Sequence, residues 1–543
     1  MTSIPPSPGI SRRSLLRGGM GLSAFALLGA AGCSNEGRGG VAAAGNAAVR
    51  LPNHIPFPGV TFDIKGAHGV PDTMLRYPAD PQAGYDGTPG DGKDVALMAM
   101  TNTPVPPPVD RNAYWQELNK RLGLSMSVSL TPTGDYTDRF QTAVAGDRLP
   151  DIFEFFNTEV PGLPNLLAEK AVDLTDHLAG DAVSTYPFLA NIPTESWESC
   201  VYGGRIYCVP VPRGPVQSMV LYARADVLDA DGIDPQATTA DEFYALCKDL
   251  TGGSTWALGR NPVGYVRQMF GVPNGWAEQG GRLTSANEHE RQEEALELAR
   301  RLVGDGLVHP DDLSASQPQR KTWLVNGTVH LLDDTFSAWP DFSNYPLSDE
   351  FELAVVQPPQ ADGGGMAGIH LGAPIQNVTS ISAASADRVE ALLQVIDYLA
   401  APFGTQEHLF KTYGVEGVHH QLEGTDPVLT EQGRVEIQLG MKYVVEGPWV
   451  NYMAGQPQVA QAQHDAQTAV VPNGVRNPCQ GLFSETDSRR GGQIGERLAA
   501  VESDIIAGRK PVSAWGPAVA EWKKGGGDTI RDEYQEALAE RVG

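Results

Sequence analysis

Apolar and polar positions alternate near the start of the folded part of the chain in a way that predicts strands and helices in turn. Residues 94–100 form an apolar run of buried-strand length, and residues 124–130 alternate as a half-buried strand does. Residues 111–122 and 135–145 carry apolar side chains at helical spacing, and residues 152–156 form a third strand. This order predicts an α/β domain with a mainly parallel sheet, in which ligands bind at the carboxyl ends of strands.

A second α/β pattern follows in the middle of the chain. Thr239 and Glu242 have the spacing of a capping box, which predicts the start of a helix. Residues 287–303 and 386–400 each carry an apolar helical stripe, and residues 327–332 have the pattern of a strand. The chain contains no internal repeat, so we expect separate α/β units rather than a repeat array.

The first 33 residues have the layout of a bacterial export signal. Arg12 and Arg13 resemble a twin-arginine pair, and residues 18–31 are apolar but too few to span a membrane. Small residues then lead to Cys33, as in a lipobox, whose cysteine becomes the lipidated first residue of the mature protein. An ordinary signal peptide with an incidental cysteine is the alternative. We expect export by the twin-arginine route and lipid anchoring through Cys33 on the extracellular face of the cell membrane.

Residues 34–92 are rich in glycine, alanine, proline and asparagine and show no clear period. This composition is typical of a flexible linker. We interpret the segment as a tether followed by an N-terminal extension, part of which packs on the body through its aromatic residues.

Length and charge narrow the class of protein. A chain of 543 residues is too long for one compact core and predicts two to four domains. Hydrophobic residues make up 41% of it, which excludes a disordered chain. The 66 acidic residues exceed the 40 lysines and arginines, and the net charge of −26 excludes a general nucleic-acid binder.

The cysteines are Cys33, Cys200, Cys208, Cys247 and Cys479. Cys200 and Cys208 flank a hairpin turn signal and could face each other as a disulfide, and the other pairings of the four mature cysteines stay open. No pair has the spacing of a zinc or redox motif, so we expect neither a metal nor a cofactor.

Several short motifs occur in one order behind the lipobox. Residues 145–152 read A-G-D-R-L-P-D-I, residues 202–210 read Y-G-G-R-I-Y-C-V-P, and residues 221–228 read L-Y-A-R-A-D-V-L. Residues 326–329 read N-G-T-V. Together these motifs resemble those of the family 1 extracellular solute-binding proteins of ABC importers, the class that takes up sugars and oligosaccharides.

The resemblance implies an α/β, periplasmic-binding-protein-like fold of two lobes joined by a hinge, with the ligand held in the cleft between them. We assign residues 93–213 with 377–435 to lobe 1, and residues 214–376 with 436–543 to lobe 2. Crossings between the lobes are expected near residues 212–215 and 374–382. The resemblance also implies that the protein is not an enzyme. Its partners would be a carbohydrate ligand and the permease subunits of the importer, to which it would deliver the ligand as a monomer.

A sugar site needs aromatic rings for the apolar faces of the pyranose and polar side chains for its hydroxyls. Residues of these types in predicted loops and at predicted strand ends are our candidates, although ordinary packing is the alternative for each. The candidate ligand-binding residues are Asn102, Glu154, Asn157, Arg213, Trp276, Asp334, Phe336, Trp339, Glu416 and Trp449.

Two other functions fit parts of the sequence. One is a peptide receptor of the same architecture. The other is a secreted polysaccharide-degrading enzyme, for which Asp333 and Asp334 would offer a carboxylate pair. Because so acidic a chain repels polyanions, we expect a neutral mono- or oligosaccharide rather than an acidic one.

Overall fold

The fold is that of a computed structural model, which describes residues 46–85, 87–345 and 351–542. Cys33 and the twin-arginine pair therefore lie outside the described residues. Within the described part, no helix is both long enough and apolar enough to cross a membrane.

Two sheets, one in each lobe, are the framework of the molecule. Their strands are β1 (Val95–Thr101), β2 (Met126–Pro132), β3 (Ile152–Phe155), β4 (Val209–Pro212), β5 (Met219–Arg224), β6 (Trp256–Leu258), β7 (Val329–Thr335), β8 (Leu353–Val356) and β9 (Ile375–Ile381).

Helices cover both sheets and build the C-terminal part of the chain. The α-helices of six or more residues within the described ranges are α1 (Ala113–Leu122), α2 (Thr133–Ala145), α3 (Leu163–Lys170), α4 (Ala225–Ala230), α5 (Ala240–Asp249), α6 (Val263–Met269), α7 (Gln292–Gly304), α8 (Gln317–Val325), α9 (Val389–Leu399), α10 (Gln406–Tyr413), α11 (Glu431–Glu436), α12 (Pro457–Val470), α13 (Gly492–Ile506), α14 (Trp515–Trp522) and α15 (Asp528–Val542).

The first sheet has the strand order β2-β1-β3-β9-β4. β1 is parallel to β2 and β3, as the sequence predicts, whereas β9 is antiparallel to both of its neighbours. Because β9 is reversed, its first residue Ile375 lies opposite Pro212 at the end of β4. The carboxyl ends of β1, β3 and β4 and the start of β9 therefore share one edge of the sheet.

The second sheet has the order β8-β5-β7-β6 and is buried on both faces. Leu221 and Leu331 point into one hydrophobic core, and Tyr222 and Leu332 point into another. This alternation follows from the period-two geometry of a strand. Thr335 lies opposite Met219, so β7 ends where β5 begins.

Local signals set the ends of several helices. The Asn112 side chain accepts a hydrogen bond from the Trp115 N–H at the start of α1, and Gly123 ends the helix with a left-handed φ of 66°. The Thr239 side chain accepts from the Glu242 N–H, which confirms the predicted helix start at α5. These ends are recognisable in the sequence because each depends on residues only a few positions apart.

Three segments cross between the lobes. The first crossing is residues 213–218, between β4 and β5. The second is the connection 357–374 between β8 and β9, which packs on lobe 2 as far as Leu371 and passes to lobe 1 at residues 372–374. The third crossing, residues 445–456, precedes α12. The sequence predicts the second crossing near residues 374–382; the crossing ends at Pro374, a few residues earlier than the middle of that range, because Ile375–Ile381 is a strand of the first sheet. We call these the first, second and third crossings below.

The third crossing begins later than the end of lobe 1 that the sequence predicted at residue 435. Leu439, Met441 and Val444 are buried in the core of lobe 1, whereas Val470 is buried in a core of lobe 2. The chain therefore leaves lobe 1 about ten residues later than the assignment from the sequence.

The N-terminal extension packs on the body along much of its length. Phe57 packs edge-on against Phe188 of lobe 1, with ring centroids 5.8 Å apart. Asp72–Thr73 pairs in parallel with Val450–Asn451 of the third crossing. We call residues 57–77 the N-terminal strap, because they run from lobe 1 to the hinge.

Cys200, Cys208, Cys247 and Cys479 are free and buried, so the disulfide considered for Cys200 and Cys208 is absent. Val201 pairs with Ile206 in the hairpin, and the Tyr207 N–H donates to the Cys200 carbonyl at 3.1 Å. Tyr207 rather than Cys208 therefore lies opposite Cys200, and this register keeps the two thiols out of a facing pair.

Candidate functional site

The topology brings the ends of both sheets to the crossings. In lobe 1 the carboxyl ends of β1 and β3 lie at the edge from which the first crossing leaves. In lobe 2 the end of β7 lies beside the start of β5, where the first crossing arrives. Because α/β proteins bind ligands beyond the carboxyl ends of their strands, the space between these two edges is the candidate cleft.

Arg213 joins the three crossings to one another. Its guanidinium bonds to Glu446 of the third crossing at 2.6 Å, and its backbone N–H donates to the carbonyl of Pro374 in the second crossing at 2.8 Å. The guanidinium also lies 5.9 Å from the ring centre of Trp449, within the range of a cation–π contact. Arg213 thus contacts residues of all three crossings. We call the Arg213–Glu446 pair the clasp of the hinge.

Charged groups of lobe 1 surround this clasp. Burial alone would raise the pKa of Glu446, but Arg213 and Lys411 hold it below its ordinary value. Burial lowers the pKa of Lys411 to about 8, and its ammonium donates to the Leu399 carbonyl at 2.7 Å. Burial also lowers the pKa of His408, to about 3, so this ring is neutral at pH 7. At the hinge, the cations Arg213 and Lys411 therefore lie near one carboxylate, that of Glu446.

Trp449 lies half-buried in the third crossing, beside the clasp. Its indole N–H is buried and has no hydrogen-bond partner in the described structure. An unpaired buried donor is costly, and a ligand oxygen would satisfy it. Trp449 thus combines an aromatic ring with an available donor at the hinge.

The predicted residues of lobe 1 lie on or beyond β1 and β3, but they differ in exposure. Glu154 is 1% exposed and accepts hydrogen bonds from the Met100 N–H and from the Asn377 amide, and burial raises its pKa well above the usual range. Asn102 is exposed and donates to the Tyr443 hydroxyl at 2.8 Å.

Asn157, also predicted in lobe 1, is half-buried and donates to the Tyr202 hydroxyl at 3.3 Å. Like Asn102, it lies beyond the edge of the sheet. These two amides donate to tyrosine hydroxyls of lobe 1, whereas Glu154 joins the strands of the sheet to one another.

The predicted residues at the end of β7 are packed inside lobe 2. Phe336 is fully buried, and Trp339 packs edge-on against Tyr222 with centroids 5.3 Å apart. Burial raises the pKa of Asp334, although Lys321 at 3.7 Å opposes this shift. In this structure these three side chains are packed inside lobe 2.

Trp276 lies apart from the hinge, at a cavity of about 430 Å³ in lobe 2. Arg267, His370 and Asp487 also line this cavity. Arg267 is paired with Glu502, and the His370 ring lies 2.8 Å from the Val272 carbonyl, with its pKa lowered by burial. An aromatic ring with cationic, imidazole and carboxylate groups suits a polar ligand that has apolar faces.

Sequence reasoning missed His370 and Asp487. His370 lies in the second crossing and Asp487 in the C-terminal segment, so no local spacing links them to Trp276. Glu416 is exposed in the loop that follows α10 of lobe 1, and its backbone bridges to His420. The structure does not bring Glu416 to the clasp or to the Trp276 cavity.

The carboxylates considered for catalysis do not form a working pair. Asp333 and Asp334 are neighbours on β7, so their side chains point to opposite faces of the sheet. Burial raises the pKa of Asp333 to about 6 despite the nearby Arg260. Two carboxyl groups on opposite faces cannot act together on one glycosidic bond.

Comparison with known proteins identifies the family. Residues 113–416, more than half of the chain, match the model of the bacterial extracellular solute-binding proteins. Two Bacillus subtilis proteins are each 21% identical to the chain: the polygalacturonan/rhamnogalacturonan-binding protein YtcQ, over 84% of this chain and 94% of its own, and lipoprotein LipO, over 81% and 91%.

A solved structure shows the same fold. The Streptococcus pneumoniae substrate-binding protein FusA in complex with kestose superimposes with a TM-score of 0.61 and 14% identity, over 83% of this chain and 99% of its own. The predicted periplasmic-binding-protein-like α/β fold is confirmed, and the family consists of binding proteins rather than enzymes. The chain belongs to the bacterial extracellular solute-binding protein family.

Proposed function

We propose that the protein binds a neutral oligosaccharide between its lobes and delivers it, as a monomer, to the permease subunits of an ABC importer. The observation that carries this proposal is the convergence of both sheet edges on three crossings, with Trp449 and the Arg213–Glu446 clasp among them. A ligand that touches both lobes stabilises the closed state, and the importer would recognise that state.

Carbohydrate is the ligand class that fits the side chains near the cleft. Trp449 offers an aromatic ring at the hinge, and Asn102 and Asn157 offer amides for hydroxyl groups. Trp276 offers a second ring, but at its own cavity in lobe 2. The names of the compared proteins agree with this class, since YtcQ is named for polygalacturonan and rhamnogalacturonan and FusA was solved with kestose.

Neutral sugars fit better than acidic ones because the arginines at the clasp and at the Trp276 cavity are already paired, and the Lys411 ammonium is buried against the Leu399 carbonyl. Arg213 is bound to Glu446, and Arg267 to Glu502. A net charge of −26 adds a long-range repulsion of polyanions. The acidic polymer in the name of YtcQ is therefore the alternative to test directly.

Calorimetric titration with two matched series tests the proposal. Neutral fructo- and galacto-oligosaccharides should bind, and galacturonate oligomers of equal length should bind at least tenfold more weakly. Tight galacturonate binding that weakens as salt is added would overturn the neutral assignment. Trp449→Ala should weaken binding of the neutral sugar by about 1–3 kcal/mol, the scale of an aromatic contact. Trp115→Ala, in α1, is the matched control, and unfolding temperatures should be compared for both variants.

The route of export and the anchor belong to the same proposal. The spacing of Arg12, Arg13 and Cys33 supports a twin-arginine lipoprotein, and the relative LipO is named as a lipoprotein. Labelled palmitate should enter the protein and be lost in Cys33→Ala, which should also leave the membrane fraction. Replacement of Arg12 and Arg13 by lysine should block export. A Cys33→Ala chain that stays membrane-bound would contradict the anchor.

A further inference from the structure

The C-terminal segment packs on lobe 2. Ile494 and Leu498 of α13 share a buried core with Leu296 and Ala299 of α7. Trp276, which lies between α6 and α7 along the chain, belongs to the same core. Residues 476–542 therefore move with lobe 2 if the lobes move relative to each other.

The same segment touches lobe 1 at a place separate from the three crossings. The Ser488 hydroxyl donates to the Val160 carbonyl at 3.1 Å and accepts from the Gly162 N–H at 3.0 Å. Val160 and Gly162 lie in the loop that follows β3, beyond the edge of the lobe 1 sheet. Gly162 has a φ of 66°, a conformation that favours glycine, so the loop is shaped to present this N–H.

An aromatic contact lies at the same seam. Phe483 packs edge-on against Tyr202 of lobe 1, with ring centroids 6.1 Å apart. Phe483 also packs against the core of lobe 1, although it belongs to the C-terminal segment. The Tyr202 hydroxyl accepts the hydrogen bond from Asn157, so this contact reaches a residue that lies beyond the edge of the lobe 1 sheet.

An ion pair completes the seam. Arg541 lies 3.4 Å from Glu198 of lobe 1 and donates to the carbonyls of Gln480 and Pro478 within its own segment. The pair is partly exposed, so it orients the two surfaces more than it stabilises them. A small cavity of about 170 Å³ lies between Glu198 and Arg541.

We propose that Phe483, Ser488 and Arg541 form a latch that holds the two lobes closed and sets how long a ligand is retained. The proposal rests on the proposed function only in assuming that a ligand binds between the lobes. The contacts themselves join the lobes whether or not a ligand is bound. A contact between the lobes that breaks when they separate raises the population of the closed state before any ligand binds. A ligand trapped behind the latch leaves only after these contacts break, so the latch acts on the dissociation rate.

The test measures the distance between the lobes without ligand. Spin labels are placed at Lys120→Cys in α1 and Lys248→Cys in α5, in the full chain carrying Cys33→Ala; the other cysteines are buried. In the protein with an unmodified latch, most molecules should show a short distance between the two spin labels. Phe483→Ala with Ser488→Ala should shift at least half of that population to longer distances, and the matched control Ser503→Ala on α13 should not.

An unchanged distance distribution in the double variant would overturn the latch, whether or not any sugar binds. If the double variant fails to fold, Ser488→Ala alone replaces it, because that change removes the hydrogen bonds to lobe 1 and keeps the packing of Phe483. It should shift the distances in the same direction, and an unchanged distribution would again contradict the latch. Stopped-flow release of a bound oligosaccharide is the second readout. The double variant should release it at least fivefold faster with an unchanged association rate, and equal release rates would also contradict the proposal.

Discussion

Arg213 illustrates how a side chain can lie where the sequence suggests and have a different set of partners there. The residue was a candidate for ligand contact because it was expected at a crossing between the lobes. The structure places it at the first crossing and binds its guanidinium to Glu446, with Pro374 accepting from its backbone. The three crossings meet at this residue, so its first role is to hold the hinge together.

Replacement of Arg213 should therefore cost stability as well as affinity. Arg213→Met leaves Glu446 largely buried without its closest cation, and we expect a loss of about 3 kcal/mol in the free energy of unfolding. Glu446→Gln combined with Arg213→Met should cost less than the sum of the two single changes.

Urea unfolding of the four proteins in this cycle measures the coupling. Arg489→Met, which removes a partly exposed pair with Glu485, is the control and should cost less than about 1 kcal/mol. Strict additivity of Arg213→Met and Glu446→Gln would show that the pair does not contribute as a unit.

Asp397 predicts a pH dependence of stability. It accepts hydrogen bonds from the Phe188 and Leu189 N–H groups, and burial raises its pKa to about 7 despite these donors. In the unfolded state the pKa of this carboxyl group is about 4. Between about pH 4 and pH 7 the group is therefore protonated in the folded state and ionised in the unfolded state. The contribution of Asp397 to stability is greatest below about pH 4 and is lost as the pH rises to about 7.

Unfolding temperatures at pH 4.5 and pH 7.5 test this sign. The drop between the two pH values should be smaller in Asp397→Asn than in the unchanged protein, because the amide does not titrate. A drop of equal size in both proteins would assign the pH dependence to other groups.

At the scale of elements, the N-terminal strap is attached to the hinge by Asp426. This carboxylate accepts from the Arg76 guanidinium, the Tyr77 N–H, the Tyr452 hydroxyl and the Gly455 N–H. Burial alone would raise the pKa of Asp426, but these donors hold it below its usual value. The Asp426 side chain thus joins three segments: the strap, the third crossing and the hairpin of residues 420–429 in which Asp426 itself lies.

Asp426→Ala should loosen the strap. The buried Tyr77 N–H would lose its partner, and we expect a loss of about 2–3 kcal/mol in the free energy of unfolding with faster proteolysis within residues 57–77. Limited proteolysis followed by mass spectrometry locates the cut. Lys65→Ala, which breaks an exposed pair with Asp72 in the same strap, is the control and should leave the cleavage rate unchanged.

At the scale of the whole molecule, the lobes meet at the three crossings and again at the C-terminal seam. Ligand binding between them should stabilise the fold by mass action. A neutral oligosaccharide at one hundred times its dissociation constant should add about 2.7 kcal/mol to the free energy of unfolding. Thermal unfolding at increasing sugar concentration measures this gain, and Trp449→Ala should need a higher concentration for the same shift. A stabilisation that saturates identically in both proteins would move the ligand away from Trp449.

The sequence by itself determined the features that depend on near neighbours. The strands β1, β2 and β3 and the cap of α5 follow from apolar spacing and turn chemistry, each set within about ten residues. The two-lobe class is what the resemblance of the short motifs to a known family implied. The motifs also indicated the family that the comparison with known proteins then identified.

Only the tertiary structure decided which partners those residues meet. Glu154 has the sequence context of a cleft residue, yet Asn377, from the distant strand β9, lies beside it in the sheet. Hairpin register, which shifts a contact by one residue, separated Cys200 from Cys208. His370 and Asp487 meet Trp276 because segments far apart in the chain fold onto one cavity. Contacts between residues hundreds of positions apart leave no local pattern, and the functional site of this protein consists mainly of such contacts.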